Sequence, residues 1–261
     1  MKSKYRLRTK KPLIILAVFT LVILIATFYG CNQAGLKGQF DSKKSTMALE
    51  YKSTGELIRE QALESATQQG LLILVNKQHP LAENYIPDDL TALKYFVANR
   101  SAETRFMRAA AAVHFEKLVE TAAQDGVELR MTTAYRSYAY QKNLYNTYVE
   151  NSGEKAANHS SAKPGESEHQ TGLAVDISSN SIGYQFLYTY GETKEGKWLA
   201  SHAHEFGFIL RYPEGKEDIT GYNHEPWHLR YVGPFAAKEI FQAGITLEEY
   251  LEETDPISEA E

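Results

Sequence analysis

No residue from Pro12 to Gly30 (PLIILAVFTLVILIATFYG) carries a charge, while residues 2–11 hold Lys2, Lys4, Arg6, Arg8, Lys10 and Lys11 and no acid. Such a stretch is poorly tolerated on a water-exposed surface, so it confines the water-soluble folded part of the chain to residues beyond Gly30. A cationic head before an apolar run, at the short end of the roughly 17–25 residues that cross a bilayer, is the pattern of a secretion signal or membrane anchor. A buried core helix is the competing reading, and the six adjoining cations weigh against it.

Cys31, the only cysteine, closes the run, so the exported chain has no internal disulfide. Gly30 followed by Cys31 resembles the end of a bacterial lipoprotein signal, where cleavage leaves a lipid-bearing cysteine. The bulky Phe28 and Tyr29 instead fit an uncleaved signal anchor. Both readings place the remainder outside the cytoplasmic membrane, tethered through residues 1–31. Without residues 1–30 and their six cations, the formal charge moves from −5 to −11. Phosphate backbones are bound by Lys and Arg clusters, and none is visible, so nucleic acid is excluded as a partner.

Residues 32–70 read as a polar linker with a helix over Gly55–Thr67. The domain is expected over 71–251, followed by an acidic tail over 252–261. Within it, LLILVNKQHPL (71–81) reads as an apolar strand, and PDDLTALKY as the start of a helix. Residues 101–125 carry the strongest helical signal. Ser101 is placed to cap, Phe106, Ala110, Val113, Leu118 and Ala122 recur at helical spacing, and Gly126 ends the helix. A strand in VELRMTTAYRS, a second helix over 138–150 and a polar loop through 151–167 come next. In LAVDIS, Leu173, Val175 and Ile177 alternate with Ala174, Asp176 and Ser178, which turns Asp176 toward a cleft. Helical 195–206, the apolar FGFILRYP, HEPWHLRYVG and two terminal helices complete an α+β domain with a small, mostly antiparallel sheet covered by helices.

Two short segments concentrate the chemistry: SEHQTGLAVD (167–176) and EPWH (225–228). A catalytic zinc takes three His or carboxylate ligands and keeps one position open. His169, Asp176 and His228 supply such a set, and Glu225, three before His228, is the natural proton acceptor for a water that the metal acidifies. Taken alone, a buried histidine such as His169 is more often a hydrogen-bonded core residue than a ligand, and Asp176 at a strand end is more often a turn partner. Their joint occurrence, in order, favours the metal. His79, His114, His159, His202 and His204 follow no ligand spacing, and no S-x-x-K or G-x-S-x-G nucleophile pattern is present.

SEHQTGLAVD with EPWH resembles the signature S-x-H-x3-G-x-A-x-D … E-x-W-H of the VanY-type D-alanyl-D-alanine carboxypeptidases and the related LdcB-type L,D-carboxypeptidases. These are zinc enzymes that trim peptidoglycan stem peptides. The resemblance runs from about Leu71 to Leu251. It implies the hedgehog/D,D-peptidase-like fold, one Zn2+ on His169, Asp176 and His228, and Glu225 as base. YRSYAYQ (135–141) matches a further family segment. There Arg136 would steady the carbonyl oxygen as charge develops, Gln141 and Ser167 would bind the substrate's terminal carboxylate or a nearby amide, and Tyr212 would line the pocket. Trp227 is expected to pack beside the ligand loop. The implied activity is removal of C-terminal D-alanine by a monomer at the membrane, with L,D trimming of tetrapeptides as the alternative. A non-catalytic zinc- or peptide-binding module is the reading from another class; intact ligands and base argue against it.

Overall fold

In chain order, α1 covers 54–68. It is followed by β1 (Leu90–Ala92), β2 (Phe106–Arg108), α2 (Ala109–Gln124), β3 (Arg130–Thr133), α3 (Tyr138–Ser152) and α4 (Glu154–Ser160). Then come β4 (Ala174–Ser178), α5 (Lys194–His202), β5 (Phe208–Leu210), α6 (Glu217–Thr220), β6 (His228–Tyr231), α7 (Pro234–Ala243) and α8 (Leu247–Thr254). The computed structural model describes residues 54–254, apart from the side chains of residues 159 and 160. The targeting segment expected over 1–31, the linker as far as 53 and the tail from 255 lie outside the described residues. The chain divides into two units, Met1–Glu60 and Gln61–Glu261, and the sheet, the core and the site belong to the second. Among the described residues, no helix is long and apolar enough to cross a membrane.

The main sheet has the order β3-β4-β6-β5, antiparallel throughout, and β1 pairs antiparallel with β2 in a separate ribbon. This is the expected α+β architecture. Phe115 and Leu118 of α2, Ile177 of β4, Leu229 of β6, Leu199 of α5 and Leu247 of α8 are fully buried in one core. Each such side chain contributes about 1.5–3 kcal/mol relative to exposure. Local chemistry supports the helices: the Ser137 hydroxyl accepts from the Tyr140 amide at the start of α3, and Thr193 from Gly196 at the start of α5.

Four local expectations are corrected. The apolar run 71–81 is buried at Leu71, Leu72 and Val75 but forms no strand. The Leu71 and Ile73 carbonyls are taken by the Arg230 guanidinium, at 2.9 and 2.7 Å, instead of by a neighbouring strand. PDDLTALKY starts no helix. Asp89 accepts from Arg108 Nε at 2.8 Å, and Leu90–Ala92 pairs with β2. The helix read from Ser101 begins at Ala109. Ser101 provides no side-chain cap, Phe106 lies in β2, and the buried face is Ala111, Ala112, Phe115, Leu118, Val119 and Ala122, which leaves Val113 53% exposed. The loop read through 151–167 contains α4. In the first three cases a tertiary contact outweighed local propensity.

Candidate active site

Asp176 in β4 lies directly opposite His228 in β6, so two of the three expected ligands are cross-strand neighbours in the centre of the sheet. The third arrives through a one-turn 3-10 helix, Glu168–Thr171, which ends on Gly172 in the left-handed conformation with φ 69°. A Cβ at Gly172 would lie 2.9 Å from Leu90 Cδ2 and 3.1 Å from Arg108 Cγ. Glycine therefore both permits the reversal and lets the β1–β2 ribbon close over it. The bulge between Met131 and Thr133 lets the Thr132 hydroxyl donate to the Asp176 carbonyl at 3.0 Å. All five residues of β4 are buried, so the expected alternation does not separate a wet face from a dry one.

One ligand atom from each of His169, Asp176 and His228 lies within 4.8 Å of the others. His169 Nδ1 is 2.6 Å from the Ala134 carbonyl, which only accepts, so the proton sits on Nδ1. His169 Nε2 is then an unprotonated, buried nitrogen without a hydrogen-bond partner, 3.2 Å from Asp176 Oδ2. Two lone pairs facing each other this closely repel unless a cation lies between them, and a His/Asp/His donor set suits zinc. The side chains present therefore fit the metal. Burial, and then Arg136, lower His169 to about 4 and keep it neutral. Burial alone would raise Asp176, but the hydrogen bond and charge of His228 hold it far below the usual carboxylate range. Burial also opposes the charge on His228, yet hydrogen bonds to Asp176 (Nδ1 to Oδ1, 2.9 Å) and to Glu168 raise it to about 9.

Glu225 stands beside this cluster, Oε2 3.8 Å from His228 Nδ1, its backbone pinned by Tyr212 O and by the His228 amide. Although 28% of the side chain remains exposed, burial raises its carboxyl to about 7. Arg136 approaches from the other side. Its amide donates to His169 O at 3.2 Å, Nη1 donates to Gln141 Oε1 at 2.9 Å, and Nη2 is 3.9 Å from Asp176 Oδ2. The cleft in front holds about 500 Å³, and Ser167, Tyr212, Arg136 and Glu225 are on its wall. The Ser167 hydroxyl caps nothing. The Tyr212 ring packs 4.9 Å from the His228 ring. Trp227 forms an aromatic wall with Phe186 and Tyr188, at 5.5 and 5.8 Å, as well as packing beside the ligand loop. Gln141 is placed differently from the sequence reading: it is 1% exposed behind Arg136, and its amide nitrogen donates to Ala162 O and Ser161 Oγ.

Reading the sequence missed the ions behind His228. The Glu168, Arg211 and Arg230 side chains are completely buried, and Glu168 pairs with both guanidiniums. Burial alone would raise the Glu168 carboxyl, but the two guanidiniums hold it far below the usual range. A signal was available, since Arg211 and Arg230 interrupt apolar strand segments (FILRY, HLRYV) and Glu168 sits inside the ligand motif.

Residues 104–234 match the family model described as VanY, D-alanyl-D-alanine carboxypeptidase. The chain belongs to the VanY family. YodJ of Bacillus subtilis, which carries a provisional carboxypeptidase name, is 43% identical over 224 residues, 83% of this chain and 82% of that protein. A D-alanyl-D-alanine carboxypeptidase of Enterococcus faecalis is 34% identical, over 74% of this chain and 71% of its own. Among solved structures, the LdcB LD-carboxypeptidase is similar at 46% identity and TM-score 0.67, covering 70% of this chain and 86% of that one. A variant of the D,D-pentapeptidase VanY, solved in complex with Zn(II), is similar at 35% identity and TM-score 0.58, covering 69% and 98%. This VanY-family chain is accordingly a zinc metallopeptidase, with His169, Asp176 and His228 the residues that fit the ion. The matched span holds every expected site residue but ends before α8.

Proposed function

We propose that the protein removes the C-terminal D-alanine from peptidoglycan stem peptides, as a D,D-carboxypeptidase. The observation that carries this reading is the orphaned His169 Nε2 in the His169/Asp176/His228 cluster, with Glu225 beside it and Arg136 opposite. Bound zinc polarises a carbonyl and acidifies water. Glu225 takes the proton of the attacking water and returns it to the nitrogen of the departing D-alanine; a carboxyl raised to about 7 suits both transfers. The fixed Arg136 guanidinium stabilises the carbonyl oxygen as negative charge grows on it. Gln141 holds Arg136 in place, while Ser167 and Tyr212 line the cleft that receives the substrate's end. A similar VanY structure was solved in complex with D-alanine-D-alanine, which supports the substrate class.

The L,D reading has its own support in the 46% identity and TM-score of 0.67 to the LdcB enzyme. The two activities differ by one residue at the substrate's end. Incubation with defined pentapeptide and tetrapeptide stems, followed by mass spectrometry of the products, distinguishes them. D-alanine release from the pentapeptide at the higher kcat/KM supports the D,D assignment, and a preference for the tetrapeptide replaces it with the L,D one. The cationic head, apolar run and Cys31 support action at the outer face of the cytoplasmic membrane.

A further inference from the structure

A line of buried ions runs from the back of His228 to the C-terminal helix. Glu168 Oε2 lies 3.5 Å from His228 Nε2, and Glu168 Oε1 accepts from Arg211 Nε and Arg230 Nη1, both at 2.7 Å. Arg211 then forks onto Glu248 of α8, Nη1 to Oε2 at 2.8 Å and Nη2 to Oε1 at 2.6 Å. Asn76 Nδ2 donates to the same Glu248 Oε1 at 3.2 Å. The Glu168, Arg211 and Arg230 side chains are 0% exposed and that of Glu248 is 10%.

We infer that Glu168 is a positioning residue that orients His228 with Nδ1 toward the metal, and that Arg211 makes this orientation depend on Glu248 of α8, beyond residues 104–234. The inference rests on the zinc reading of the His169/Asp176/His228 cluster. An imidazole has two nitrogens, and the acceptor at one decides which proton the ring keeps. With Asp176 at Nδ1, only an acceptor at Nε2 holds the proton there and presents the Nδ1 lone pair. Glu168 is that acceptor. It stays in place because two guanidiniums clamp its other oxygen, and the Arg211 guanidinium is itself fixed by a bidentate carboxylate. Two acids and two guanidiniums balance in charge, so loss of the Glu248 charge leaves an uncompensated buried Arg211 that can draw Glu168 away from His228. A purely structural staple between segment 71–76, the sheet and α8 would use the same bonds, but it would leave the metal's geometry alone.

The test uses the full chain in detergent, with Glu168→Gln, Glu248→Gln and the control Tyr250→Phe, which removes the hydroxyl that donates to Glu239 at 2.7 Å in the same region. Zinc affinity by chelator competition, the visible spectrum of the Co(II)-substituted protein and the melting temperature are recorded for each. Glu168→Gln is expected to weaken zinc about 10–100-fold and shift the Co(II) bands. Glu248→Gln is expected to weaken zinc on the order of 2–30-fold, the range of coupling carried through an intermediate residue. Tyr250→Phe is expected to alter the melting temperature alone. Zinc affinity within twofold of wild type in Glu168→Gln overturns the inference. So does a Glu248→Gln protein with a lowered melting temperature and an unchanged Co(II) spectrum and affinity, and this second variant decides if the first fails to fold. A wild-type chain that binds no zinc defeats the zinc reading instead.

Discussion

Burial raises the Glu225 carboxyl to about 7, above its ordinary range near 4.5. The folded, metal-free chain therefore holds this proton more tightly than the unfolded one. The group's stabilising contribution is present below about 4.5 and is lost as pH rises through about 7. Metal-free Glu225→Gln should melt higher than wild type at pH 8, with the gap closing toward pH 4 in thermal scans. With zinc bound, Glu225→Ala should lower kcat by about 10²–10⁴-fold, measured as D-alanine release with the metal content checked. His228 is raised to about 9, so its contribution is present below its unfolded value near 6.5 and is lost as pH passes 9. It is a cation at pH 7 in the metal-free chain. Zinc binding should then release about one proton, readable by calorimetry in buffers of different ionisation enthalpy. The identities of these residues were legible in SEHQTGLAVD and EPWH; their proton states were not, because those depend on groups distant in sequence such as Asp176 and Glu168.

The 3-10 turn Glu168–Thr171 and the strand after it carry two of the three ligands, so the hinge at Gly172 governs both. Gly172→Ala places a side chain at φ 69°, where an L-residue costs about 1–2 kcal/mol, and crowds Leu90. The variant should melt lower and bind zinc more weakly than wild type, as measured by scanning calorimetry and chelator competition. At this scale the sequence spoke clearly where one element is locally self-consistent: α3 with its Ser137 cap, α7 with proline in its first turn, and β4. It misled where partners are remote. Leu71–Val75 is apolar enough for a strand, yet Arg230 takes its carbonyls, and the segment before α2 is drawn into β2 by pairing with β1.

Across the whole molecule, the metal links folding to function. Zinc at a hundred times its Kd should stabilise the native state by about 2.7 kcal/mol, so a chelator should lower the melting temperature reversibly. Cys31 sets the other large-scale expectation: metabolic labelling with a fatty acid should mark the wild-type chain and not Cys31→Ser, and a labelled variant would leave the signal-anchor reading. What the amino-acid order determined by itself was the ligand types, their spacing around a glycine hinge, the neighbouring base and the family they resemble, because these are short-range patterns of donor chemistry. What only the tertiary structure decided was that Asp176 faces His228 across two strands, that Gln141 sits behind Arg136, and that Glu168 is charged in a dry core. The first and third come from pairing register and burial, which bring together residues that the sequence keeps tens of positions apart, and the second from the packing of a buried side chain five positions along the chain.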